Sequence, residues 1–130
     1  MGIATVTKIR AEKTIDGVPI NPRLPRAFDS TSNDERPASH QKFWNVPFIV
    51  TETVAAHDAF YAGRTDDYAE EGRKYWAQAR PKWMASWSDG TRYDVRCLDG
   101  GAWDRSTWWG SFGKLEEALE CAKAGPTWRG

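Results

Sequence analysis

Two Asp-Gly pairs, Asp89-Gly90 and Asp99-Gly100, punctuate three runs in which apolar and polar residues alternate. Aspartate and glycine accept the left-handed backbone that a tight hairpin turn needs, and a period of two marks a strand with one wet face. The expectation is a three-stranded antiparallel meander over residues 82–88, 91–98 and 102–109. A helix should follow, capped at Gly113 with Glu116 three residues on. Leu115, Ala118, Leu119 and Ala122 supply its apolar face, and Gly125-Pro126 stops it.

The rest of the chain reads as follows. Residues 3–13 are β-branched enough for a strand, Asp16-Gly17 signals a turn, and Val18 to Ile20 can return as a short strand that Pro19 confines to a sheet edge. Residues 21–41 hold three prolines and the string DSTSND without any period, so they read as an irregular loop or a partner-binding arm. Residues 42–50 form an apolar strand interrupted at Pro47. Two helices occupy the middle of the chain. The first is capped by Thr51 or Thr53 and stopped by Gly63. The second is capped by Thr65, has Asp66 and Asp67 in its first turn and ends at Arg80, because Pro81 follows. The fold class is therefore α+β: an antiparallel sheet with a C-terminal meander plus helix, in a single domain over residues 1–130.

Composition excludes several function classes. No apolar run approaches the roughly 20 residues of a membrane span. The N-terminal segment lacks the apolar stretch of a secretory signal, and Val6 stands where N-myristoylation needs Ser or Thr, so a cytoplasmic protein is expected. In a cytoplasmic protein the only two cysteines, Cys97 and Cys121, read as reduced, buried thiols. Neither C-x-x-C nor H-x-x-x-H occurs, no phosphate-binding glycine loop is present, and Gly110-Ser111-Phe112-Gly113 is one residue short of a nucleophile elbow. His57 and Asp58 are sequence neighbours, which a helix points about 100° apart. No catalytic residue, cofactor or metal ligand is assigned.

The net charge is zero but unevenly spread: residues 43–71 hold six acidic side chains against Arg64 alone. A neutral protein is a poor duplex binder, since that binding depends on a strong positive field. Seven of the eight tryptophans lie between Trp76 and Trp128, so their placement on the meander decides the functional reading. With two-residue turns, strand parity puts Met84, Ser86, Tyr93, Val95, Cys97, Ser106 and Trp108 on one face. The other face carries Trp83, Trp87, Arg92, Arg96, Trp103, Arg105 and Trp109. A connection of odd length swaps these faces. Arginine stacked on tryptophan gains roughly 0.5–2 kcal/mol, and both residue types dominate interface hot spots. That face is the candidate site for a protein partner. It is alternatively a stacking platform for single-stranded nucleic acid, or a layer covered by the N-terminal half. A small enzyme of unknown reaction is the third possibility.

The string WSDGTRYDVRCLDGGAWDRSTWWGSFGKLEEALECA, residues 87–122, resembles small strand-strand-helix modules. It is also similar to uncharacterised small proteins carried on proteobacterial mobile elements. This resemblance implies an accessory or inhibitor protein and brings no functional residue with it.

Overall fold

Asp16 and Gly17 both adopt positive φ, 53° and 82°, as a two-residue hairpin turn requires. They join β1 (Lys13–Ile15) to β2 (Val18–Ile20) with Ile15 opposite Val18. This hairpin opens a computed structural model that describes residues 13–22, 45–98 and 106–129. Most of the strand expected over residues 3–13, most of the 21–41 segment and the Asp99-Gly100-Gly101 turn lie outside the described residues.

The fold is α+β, and the described residues form three helices and a five-stranded mixed sheet in the order β1-β2-β3-β4-β5. β3 (Phe48–Thr53) starts directly after Pro47 and pairs antiparallel with β4 (Thr91–Cys97), which pairs antiparallel with β5 (Thr107–Phe112). β2 joins β3 in parallel through one register pair, Ile20 with Ile49. Pro19 therefore does not mark an edge: the contact with β3 begins one residue beyond it, where Asn21 N–H donates to Ile49 O at 2.7 Å.

Thr53 ends β3 and caps α1 (Val54–Ala62), its hydroxyl accepting from Ala56 N–H at 3.0 Å, and Gly63 closes the helix. α2 (Ala69–Ser86) begins later than Thr65 suggests, after Asp66 accepts from the Tyr68 N–H at 2.9 Å. It also runs straight through Pro81. The strand expected over residues 82–88 is therefore largely helix, and β3 takes its place beside β4. Proline removes one helical hydrogen bond. Here it is outweighed by a stripe of Ala69, Gly72, Trp76, Ala79 and Trp83, which turns toward the rest of the fold at helical spacing on both sides of Pro81. Asp89-Gly90 still forms a turn, with Gly90 at φ 78°, but it joins a helix to β4.

Lys114, not Gly113, is the N-cap of α3 (Leu115–Ala124), and β5 continues to Phe112. Ala118, Leu119, Cys121 and Ala122 bury against Val18, Ile20, Ile49, Val95, Cys97 and Trp109, with Leu115 at the margin. This is the core. The last described segment is a short turn, Thr127–Arg129.

Candidate partner-binding surface

Strand register decides which side chains share a face. Ile49, Val95 and Cys97 point toward α3, so their neighbours point the other way: Phe48, Val50 and Glu52 on β3 and Arg92, Asp94 and Arg96 on β4. On β5, Thr107 stands opposite Cys97 and Trp108 opposite Arg96. The register then shifts, so that Gly110 faces Val95, Ser111 faces Asp94 and Phe112 faces Tyr93. Trp109 is the extra residue of a bulge and turns into the core, only 9% exposed.

The seven predicted site residues do not form one face. Residues 98–106, an odd number, connect β4 to β5, so parity is the reverse of what a two-residue turn gives. Trp109 therefore belongs to the core, and Trp108, expected on the face opposite the arginines, lies beside Arg96 at 45% exposure. Trp83 lies on α2, half-buried, with the Arg92 guanidinium 5.9 Å from its ring centre. Its indole N–H is buried and has no acceptor among the described residues. Trp87 is the C-cap of α2, half-buried, and donates its backbone N–H to Trp83 O at 2.8 Å. Trp103 and Arg105 lie outside the described residues.

Two polar networks hold this side of the molecule. In the first, Trp108 Nε1–H donates to Ser111 Oγ at 2.9 Å, and the Ser111 hydroxyl donates to Asp94 Oδ1 at 2.6 Å. Arg92 Nη2 donates to Asp94 Oδ2 at 3.0 Å, while its Nε lies 2.9 Å from Oδ1 but off the line of a good hydrogen bond. Asp94 is only 8% exposed, and a carboxylate so buried needs such compensation. Arg96 donates to the Ser106 hydroxyl and carbonyl, both at 2.9 Å.

The second network joins α1 to α2. Asp58 accepts from Trp76 Nε1 at 2.7 Å and from Arg80 Nε and Nη2 at 2.9 and 3.0 Å, which lowers its pKa to about 2. The Trp76 ring stacks with His57, 5.0 Å away, and with Tyr61, 5.4 Å away. His57 Nε2 stands 3.2 Å from Glu52 Oε1 without an aligned hydrogen bond. Glu52, Ala56, His57, Phe60 and Tyr61 line a cleft of about 290 Å³. The Glu52–His57 pair has the spacing of an oriented base, yet neither serine nor cysteine is among the described residues lining that cleft.

Trp128 was not among the expected site residues. Its Nε1–H donates to Trp108 O at 2.8 Å, and the Thr127 hydroxyl donates to Trp109 O at 2.9 Å. The chain after α3 thus occupies carbonyls on β5, the last strand of the sheet order, and leaves the Trp128 side chain 56% exposed. The adjacent pair Trp108-Trp109 announces in sequence that one indole faces each way, but not which. Among the described residues no helix is long and apolar enough to cross a membrane, and no group of three or more His, Cys, Asp or Glu is placed to hold a metal ion. No protein-family model, curated protein or solved structure matches the chain.

Proposed function

We propose that this chain is a non-catalytic binding module that engages a protein partner through the Trp108–Trp128 edge of the sheet. The carrying observation is two large indoles, 45% and 56% exposed, each fixed to β5 by a hydrogen bond, from Trp128 Nε1–H to the Trp108 carbonyl and from Trp108 Nε1–H to the Ser111 hydroxyl. A rigid exposed tryptophan loses little conformational freedom on binding and buries a large area, which is why such side chains anchor interfaces. The resemblance of residues 87–122 to small proteins of mobile elements adds the accessory or inhibitor class to this reading.

Single-stranded nucleic acid is less well supported. A stacking platform needs arginines free to hold phosphates, and the Arg92 guanidinium is engaged by Asp94. The test is capture from the native host with Trp108→Ala and Trp128→Ala. Loss of the captured protein with the fold retained, the melting temperature falling by only about a few degrees, is expected; capture by both variants at the wild-type level overturns the proposal.

A further inference from the structure

We infer that the cleft between β3 and α1 receives an arginine side chain from a basic segment of a partner protein. The inference rests on the protein-binding reading and adds a second surface with its own chemistry. Glu52 forms one wall. It is half-buried, and among the described residues its carboxylate has no aligned hydrogen bond: His57 Nε2 is near but off-line. Arg92 is its register partner on β4, but that guanidinium is bound to Asp94. Glu52 is thus a carboxylate in a partly desolvated cleft without a permanent cation, since an imidazole is charged only when protonated.

The other walls are aromatic. Phe60 is 61% exposed and meets Tyr61 edge-on at 5.0 Å, with Tyr75 6.2 Å beyond. The Arg64 guanidinium carbon already stands 5.9 Å from the Phe60 ring centre, so one face of this aromatic group takes a guanidinium in the protein itself. Arg64 is anchored there by Asp66, its Nε and Nη2 donating at 2.9 and 2.8 Å, and is not a candidate to neutralise Glu52. Exposed carboxylates follow in the chain, Asp67 just before α2 and Glu70 and Glu71 in its first turn; Glu70 is paired with Arg73, which also donates to the Tyr61 carbonyl. A planar guanidinium matches a carboxylate with two parallel N–H bonds and stacks on aromatic rings, whereas an ammonium does only part of this. The combination selects arginine over lysine, and the exposed Asp67 and Glu71 favour an arginine embedded in a basic segment.

The probe is a blocked peptide, acetyl-GRGRGRG-amide, titrated into the full chain by calorimetry at low salt. Saturable binding is expected. Glu52→Gln and Phe60→Ala should each weaken it by about tenfold, the lysine counterpart peptide should bind several-fold more weakly, and Trp108→Ala should leave it unchanged. Both cleft variants alter partly exposed positions, and a circular-dichroism melt verifies that each is folded. Absence of saturable binding overturns the inference. So does an equal loss in the paired control Asp67→Asn with Glu71→Gln, which would mean diffuse charge attraction rather than a cleft. Equal affinity for free arginine amide overturns the protein segment as occupant. Because Trp108 is spared here, failure at this cleft and failure of the Trp108–Trp128 reading are separate results.

Discussion

The indole N–H of Trp76 donates to Asp58 Oδ1 at 2.7 Å and thereby ties the second helix to the first. Arg80 completes the site on the same carboxylate. Together they hold Asp58 at a pKa of about 2, below its ordinary 3.8. A depressed carboxylate contributes stability that is fully present above its ordinary value and is lost as pH falls through the folded one. The helical hairpin should therefore loosen between about pH 4 and pH 2. Asp58→Asn should be less stable at neutral pH and should lose part of this acid response. Thermal melts of both proteins from pH 6 to pH 2 measure it, and parallel profiles would contradict the assignment.

Pro81 lies inside α2 with no N–H to offer the carbonyl four residues back. Pro81→Ala should raise stability, by about 3 kcal/mol at most, and increase helical ellipticity. A strand over residues 82–88 would show neither gain.

Trp108 and Trp109 are neighbours with opposite fates. Trp109→Ala should cost about 3–5 kcal/mol because it empties a core position beneath α3. Trp108→Ala removes an exposed indole and one hydrogen bond, for about 1 kcal/mol or less. Chemical denaturation of the two variants orders them.

Gly110 sits in the bulge, where an added methyl would stand 2.9 Å from both the Phe112 ring and Thr127 Cγ2. Gly110→Ala should destabilise by about 1–3 kcal/mol and release the turn at 127–129 from β5. Trp128 fluorescence gives a second readout: its emission should shift to the red.

Cys97 and Cys121 are both buried, and burial pushes the Cys121 thiol above its ordinary pKa. Both should react with a thiol reagent far more slowly in the native protein than in denaturant. Rapid native labelling would show that α3 opens.

Local chemistry was legible at several turns and caps, though not at the expected Thr65 and Gly113 caps or the Pro81 stop. Asp16-Gly17 makes its hairpin, Thr53 and Gly63 bound α1, and Leu115, Ala118, Leu119 and Ala122 turn one face of α3 to the core. The α+β class follows from such signals. What the tertiary structure decided is how these pieces share faces. The run KWMASWS alternates like a strand, yet Trp76 and Trp83 stand seven residues apart, two helical turns, and packing near His57 makes that period prevail across Pro81. The odd connection and the bulge at Val95 then choose which of Trp108 and Trp109 is buried. Strand parity carries no information about loop length, so the candidate site could be composed of the right residue types in sequence while its membership waited on register.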